Sequence, residues 1–301
     1  MLEGKVVLIT GAGGGIGRAL ALGAAKAGAK VVVNDIGASL QGERGDVGVA
    51  HRVVDEIIAA GGEAVASTGS VAEPDEAATA VRTAVDHFGR LDGLVNNAGI
   101  LRDGFFHKMS FADFDAVLKV SLYGAFNMSR AAADVFRAQN SGSILHMTST
   151  SGLIGNFAQA NYATAKLAMV ALSKSISLDL ARWNVRSNCI APFAWSRMTS
   201  NIKADSAEQE ERINRLRQMK PEKIVPLVNA LLSDQTADIT GQIFSVRNNE
   251  LFLMNQIRPI RSVHRGEGWD EESLLGHGLP ALRSSFAKPD VSADVFPWDP
   301  V

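Results

Sequence analysis

The sequence predicts an α/β fold: a doubly wound parallel sheet of seven strands with helices on both faces, followed by a C-terminal extension. Three observations predict it. Short β-branched runs alternate with longer stretches of helical period, as βαβ units do. The strand runs are continuously apolar rather than alternating, which suits a sheet covered on both faces. A glycine-rich turn joins the first strand to the first helix.

The elements follow in order. "KVVLIT", residues 5–10, reads as a buried strand, and the pattern from Ile16 as a helix stopped at Gly28. "KVVVND" is the second strand, followed by a helix over roughly Val47–Ala60 that ends in Gly61-Gly62. "EAVAS" is the third strand. Pro74 then opens a helix whose Val81, Val85 and Phe88 share one face and which Gly89 closes. "LDGLVNNAG" is a fourth strand running into a turn, and a long helix covers roughly Ser110–Gln139. "GSILHMTS" is the fifth strand, and "AQANYATAKLAMVALSKSISLDLARW" the helix after it. "VRSNCIAP" is the sixth strand, stopped by Pro192, and "GQIFSV" the seventh. Residues 1–248 are thus expected to form a single domain. Residues 249–301 form an extension in which only "WDEESLLGHGLPALR" hints at a helix. Its Trp269, Leu274, Leu275, Phe286, Phe296 and Trp298 favour a segment wrapped on the core or on a partner subunit over a partly disordered tail.

Composition narrows the function. The 301 residues are 46% hydrophobic and 21% charged, enough for a substantial core. A net charge of -2 and a pI near 6.3 give no global basic field, so nucleic acid or an anionic membrane is not the expected partner. A single cysteine, Cys189, excludes an internal disulfide. Together with an N-terminus lacking a signal-peptide pattern, it sets the expectation of a reducing, cytoplasmic setting. No apolar stretch is long enough to span a membrane, and no metal is called for.

Ligands of such sheets bind beyond the carboxyl ends of the strands. After the first strand comes "TGAGGGIG", with Gly11, Gly15, Ile16 and Gly17 opening a helix. Glycines let the backbone approach a pyrophosphate, and the helix N-terminus offers free N–H groups. After the second comes Asp35, placed to accept both hydroxyls of an adenosine ribose and to repel a 2′-phosphate. No cation occupies Ala12–Gly14, and Arg18 points along the helix, so NAD is favoured over NADP. After the fourth comes "NNAG", Asn96 to Gly99, where Asn97 ties turns while Ala98 and Gly99 leave room for a flat ring. After the fifth comes Ser149, thirteen residues before Tyr162, and Tyr162 and Lys166 share one helix face.

Taken together, "TGAGGGIG", "NNAG", Ser149, Tyr162 and Lys166 resemble the short-chain dehydrogenase/reductase family over roughly residues 4–248, with its Rossmann-like sheet. "VVVNDIG", "NNAGILRD", "GNFAQANY" and "IAPFAWSRMT" resemble the branch containing the (3R)-hydroxyacyl-CoA dehydrogenase part of multifunctional enzyme type 2, also called 17β-hydroxysteroid dehydrogenase type 4. The resemblance implies that Tyr162 exchanges a proton with the substrate oxygen and that Ser149 orients that oxygen. It implies that Lys166 holds the nicotinamide ribose and lowers the tyrosine pKa. A nearby ammonium does favour a phenolate.

Three positions depart from the family pattern. Ser121 stands where the long helix usually carries an Asn that holds a water relay. Ser70 replaces a frequent adenine-binding Asp, which passes part of that contact to Val71. Pro192 is followed by Phe193 rather than glycine, which narrows the nicotinamide or substrate side.

The resulting expectation is NAD-dependent oxidation of a secondary alcohol, with a 3-hydroxyacyl-CoA as first candidate, including one with a steroid or other bulky acyl group. A dehydrogenase or reductase of a free hydroxysteroid or alicyclic alcohol, and a catalytically idle NAD-binding subunit of a hetero-oligomer, are the alternatives. Residues 193–219 are expected to form a substrate lid. Phe105, Phe106, Phe157, Phe193 and Trp195 are candidate apolar wall or plain core. Arg102, Lys108, Arg197 and Lys203 are candidate cations for a CoA. The resemblance also implies a homodimer or homotetramer through the long helices. Ala125, Ala131 and Ala132 lie there, on a partner or on the sheet.

Overall fold

The computed structural model describes residues 1–43, 45–195 and 206–300. Seven parallel strands form the body of one sheet: β1 (Val6–Thr10), β2 (Lys30–Asn34), β3 (Ala64–Ser67), β4 (Gly93–Asn96), β5 (Gly142–Met147), β6 (Val185–Phe193) and β7 (Ile243–Arg247). An eighth, β8 (Glu250–Leu253), pairs antiparallel with β7 and closes the order β3-β2-β1-β4-β5-β6-β7-β8. The sequence expectation stopped at seven strands. Asn248-Asn249 make a two-residue reversal, with Asn248 left-handed at φ 54°. β8 alternates half-buried and exposed, so its four residues lack the continuous apolar run that marks the others.

The helices α1 (Gly15–Lys26), α2 (Val49–Ala59) and α9 (Val225–Leu232) cover one face. The other carries α3 (Pro74–Phe88), α4 (Phe111–Leu118), α5 (Gly124–Gln139) and α7 (Ala160–Asp179). α3 has the expected ends: a proline and two acids in its first turn and Gly89 at φ 80° as its stop. The remaining helices are α6 (Thr150–Leu153), α8 (Ala207–Arg217), and three short ones in the extension, α10 (Glu271–Ser273), α11 (Leu279–Leu282) and α12 (Ser292–Val295).

α4 and α5 form one continuous helix, as the period predicts, except for a π turn over Lys119–Tyr123 that contains Ser121. One extra residue in a turn leaves no trace in apolar spacing, so the sequence could not announce it. Ala131 and Ala132 of this helix pack on the sheet-side core with Met128 and Phe136, and Ala125 is buried.

The strand order reverses between β1 and β4. That switch point opens a crevice at the carboxyl ends of the strands, where ligands of open α/β sheets bind. No helix among the described residues is long and apolar enough to cross a membrane.

Candidate active site

The turn after β1 is built around close backbone contacts. Gly11 has φ 63°, and a Cβ there would stand 2.9 Å from Ala98 Cα. A Cβ on Gly17 would reach 2.1 Å from the Gly11 carbonyl oxygen, so only glycine fits. The first turn of α1 carries no side-chain cap and no acid, and Gly15 has open space above it at φ 52°. Uncapped N–H groups beneath an open backbone suit an anion. Ile16 is partly buried and packs on the core beneath that turn.

Short polar side chains tie the strand ends together. Thr10 Oγ1 accepts from the N–H groups of Asn97 and Ala98, both at 3.0 Å. Asn97 Nδ2 donates to the carbonyls of Thr10 (2.9 Å) and Gly11 (3.1 Å). Asn34 Nδ2 donates to Gly69 O at 2.9 Å and links the ends of β2 and β3. Asp35 accepts from the N–H groups of Gly13 (2.8 Å) and Gly37 (2.7 Å), which holds its carboxylate at the crevice edge. Val71 is buried under Gly124, and its carbonyl accepts from Asn127 Nδ2 at 3.0 Å. The Ser70 N–H donates to Glu76 at 2.6 Å. Pro192 lies inside β6, paired with Val246.

The proposed catalytic residues meet on the next elements. Ser149 caps α6, accepting from the Ser151 N–H at 3.1 Å. Tyr162 is in the first turn of α7, half-buried beside Ser149. Burial pushes the Tyr162 hydroxyl up to about 12, while its hydrogen bond with Ser149 pulls the other way. Lys166 is buried, its Nζ donating to the Met147 carbonyl at 2.7 Å. Burial pulls that ammonium down to about 8.

The expected lowering of the tyrosine pKa by Lys166 is therefore not what this geometry gives. Nζ lies 5.5 Å over the tyrosine ring and bonds to a carbonyl of β5, and desolvation of the hydroxyl dominates. Lys166 Nζ and Ser121 Oγ lie by the residues just past β4. A Cβ on Gly99 would stand 3.3 Å from Ser121 Oγ and 3.6 Å from Lys166 Nζ. Gly99 itself is exposed, so a flat ring can rest on this backbone. The uncapped turn, the Asp35 carboxylate and this bare strand end together fit a dinucleotide.

Several residues around the site carry no motif. Gln159 accepts from Ser151 Oγ at 2.9 Å and donates to Asp103 at 2.9 Å, anchoring the start of α7. Asn161 Nδ2 donates to the Arg102 carbonyl at 2.8 Å. Asn156, Gln159 and Asn161, scattered among apolar residues just ahead of Tyr162, were the available signal. Beneath the π turn, Asn96 Nδ2 donates to Ser129 Oγ at 3.0 Å and lies 3.4 Å from His146 Nδ1. Burial, with the Lys166 charge added, pulls His146 down to about 3, so the imidazole is neutral. Ser121 Oγ and His146 Nε2 have no hydrogen-bond partner among the described residues.

The candidate walls divide. Phe105, Phe106 and Phe157 are exposed rather than core. Phe193 is half-buried against Phe296, with ring centroids 5.1 Å apart, and Arg217 lies 5.8 Å from the Trp195 ring. Lys108 is exposed. Arg102 is engaged by Gln41 O at 2.9 Å and by Asp113 at 3.4 Å. Arg197 and Lys203, with much of the expected lid, lie outside the described residues. Of that lid, α8 is described.

Comparison with known proteins places these features in context. The model of the short chain dehydrogenase family matches residues 5–210. A hydroxyacyl-CoA dehydrogenase of Mycobacterium tuberculosis, ChsB1, is 36% identical over 302 aligned positions, covering 96% of this chain and 90% of that protein. The peroxisomal multifunctional enzyme type 2 of Mus musculus is 43% identical over 244 residues, 81% of this chain. The chain spans only 32% of that larger protein's length. Among solved structures, a short chain dehydrogenase from Mycobacterium avium is 39% identical with a TM-score of 0.83, covering 96% of this chain and 98% of that one. A 7α-hydroxysteroid dehydrogenase complexed with NADH and 7-oxo glycochenodeoxycholic acid is 32% identical with a TM-score of 0.73, covering 82% and 94%.

Proposed function

We propose that this chain, which belongs to the short-chain dehydrogenase family, is an NAD-dependent oxidoreductase that oxidises the hydroxyl of a 3-hydroxyacyl-CoA to a ketone. It is an oxidoreductase by family, and the family and its NADH-bearing neighbour give it a nicotinamide cofactor. The choice of NAD is supported by Asp35, whose carboxylate stands beside Gly13 where a 2′-phosphate would be repelled. Support for the substrate class comes from the likeness to ChsB1 and to the multifunctional enzyme.

The observation that carries the catalytic reading is the convergence of Ser149, Tyr162 and Lys166 beside the β1/β4 crevice. A bound nicotinamide supplies the hydride acceptor. The chain's residues do the rest. Gly11, Gly15, Ile16 and Gly17 would hold the pyrophosphate, Ser70 and Val71 the adenine, and Asn97, Ala98, Gly99 and Pro192 the nicotinamide end. Ser149 orients the substrate hydroxyl, and the phenolate form of Tyr162, a minor form at neutral pH because burial pushes its hydroxyl up, takes the proton as the ketone forms. Lys166 contributes a buried ammonium next to the ribose side of that tyrosine, with Ser121 beside it. The exposed apolar residues Tyr123 and Phe126 line a cleft of about 470 Å³ with Leu122 and Leu172. That face of the long helices supports a homodimer or homotetramer.

The test is an NAD-reduction assay over a panel of 3-hydroxyacyl-CoAs and free hydroxysteroids. Turnover of the acyl-CoAs is expected. Tyr162→Phe should lower kcat by about 10³-fold and leave NAD binding intact. Turnover of free alcohols alone would overturn the substrate class, and an unimpaired Tyr162→Phe would overturn the mechanism.

A further inference from the structure

The described part of the extension ends by coming back to the site. Ser292 donates to the Gly155 carbonyl through its N–H at 3.1 Å and its hydroxyl at 3.2 Å. Gly155 lies in the loop between Ser149 and Tyr162. A Cβ there would stand 2.6 Å from the Asp290 carbonyl oxygen, at a φ of 151°. Further along, the Phe296 ring packs edge-on against Phe193 at 5.1 Å and Phe252 at 5.2 Å. Arg247, 5% exposed, stands 5.9 Å from the Phe193 ring, 6.0 Å from Phe296 and 5.3 Å from Trp298. It also donates to the Trp298 carbonyl and pairs with Glu250 at 3.2 Å. Trp298 Nε1 donates to the same glutamate at 2.6 Å. Asp299 then pairs with Arg215 of α8 at 2.9 Å.

One stretch of ten residues thus grips three pieces of the site's border: the loop ahead of Tyr162, the end of β6 just past Pro192, and α8. The glycine turn and Asp35 sit at β1 and β2, on the other side of β4 and β5 from β6. The strap therefore touches the substrate side and the border of the nicotinamide end next to Pro192, and lies away from the glycine turn and Asp35. Its most telling contact is Phe296 on Phe193, because a bulky ring at that strand end needs a partner to hold it in one place. Edge-on aromatic packing fixes orientation as well as distance.

We propose that residues 290–299 are a positioning strap for substrate, with Phe296 holding Phe193 and Asp299 holding α8 in the geometry that admits the alcohol. The inference rests on the dehydrogenase reading above, though not on the acyl-CoA assignment. Strap variants should change substrate kinetics while leaving cofactor binding alone.

The experiment uses the full chain with Phe296→Ala, Phe296→Tyr and Asp299→Asn. The substrate is whichever alcohol of the panel the unaltered protein oxidises. Steady-state kinetics are measured with the NAD dissociation constant and the thermal midpoint. Phe296→Ala should lose about tenfold in kcat/KM, mainly as a raised KM, and Asp299→Asn about threefold, both with NAD affinity unchanged. Phe296→Tyr should recover most of the loss. Phe193→Gly is made alone and combined with Phe296→Ala; the double variant should lose no more than the worse of the two single ones, because the two act through one contact.

If Phe296→Ala does not fold, Asp299→Asn decides. Unchanged kcat/KM in Phe296→Ala, or in Asp299→Asn where Phe296→Ala does not fold, or an equal loss of NAD affinity, overturns the strap and leaves the dehydrogenase reading standing. A panel in which no alcohol is oxidised overturns both.

Discussion

The ends of β1 to β5 and the C-terminal strap border the same site but are built from different materials. At the strand ends, glycines and short polar side chains fix backbone against backbone, as Thr10, Asn34 and Asn97 do at 2.9–3.0 Å. In the strap, rings and one arginine do the holding, through Phe193, Phe252, Phe296, Trp298 and Arg247. The first kind of contact tolerates almost no added atom. The second spreads its energy over area and tolerates small shifts. On the proposed assignment, the glycine turn and Asp35 form a rigid side for the cofactor and the strap a retunable side for the substrate.

The difference can be broken or sharpened by experiment, beginning with the largest effect. His146 in β5 is neutral and depressed from 6.5 to about 3. The unfolded chain therefore binds more protons between those values, and stability rises with pH across that window. Its contribution is complete above about pH 6.5 and lost as pH falls toward 3. It amounts to on the order of 5 kcal/mol. His146→Gln should flatten the slope of unfolding free energy between pH 3 and 6.5 in urea titrations. Lys166, depressed to about 8, adds a second rise between 8 and 10.5. An unchanged acid slope would mean that the imidazole is not the group responsible.

Next comes the same substitution made in both regions. Gly17→Ala drives a Cβ to 2.1 Å from a backbone oxygen and should cost about 1–3 kcal/mol, with NAD affinity falling alongside. Gly276→Ala, in the extension, meets nothing within 4 Å in a helical turn. It should be neutral or stabilising by up to about 1 kcal/mol. Thermal melts of the pair make the contrast direct, and equal losses would erase it.

Asp35→Asn gives a smaller effect. It keeps the turn's shape but loses the charge, and should narrow the preference for NAD over NADP by about tenfold in kcat/KM. A preference that stays put would shift cofactor choice elsewhere. The smallest is Glu56→Gln. It breaks the Arg18–Glu56 pair, whose side chains are about 40% exposed, and should change stability by less than about 0.5 kcal/mol. A larger loss would give α1 and α2 a surface coupling that screening should forbid.

What the sequence revealed follows the same division. "TGAGGGIG", Asp35 and "NNAG" were legible because each is a local run whose chemistry depends on neighbours within a few residues. Tyr162 with Lys166 was legible because one helix turn separates them. The π turn at Ser121 was not, since it changes geometry without changing composition. Nor was the direction of the Tyr162 shift. That depends on how much water the fold removes from the hydroxyl and on Lys166 bonding to Met147 instead. The aromatic residues of the extension pointed to order but not to its place. Phe296 meets Phe193 across more than a hundred residues of chain, and no local pattern encodes such a partner.

Cys189 gives the core a built-in reporter. It is the chain's one cysteine, it lies in the middle of β6 at 1% exposure, and burial pushes its thiol up to about 12. A thiol in that state does not react with alkylating or disulfide reagents while the sheet stays closed. Reaction at this single position therefore times the opening of β6. The rate of labelling measures how often the strand beneath the strap comes free, without any residue having been altered.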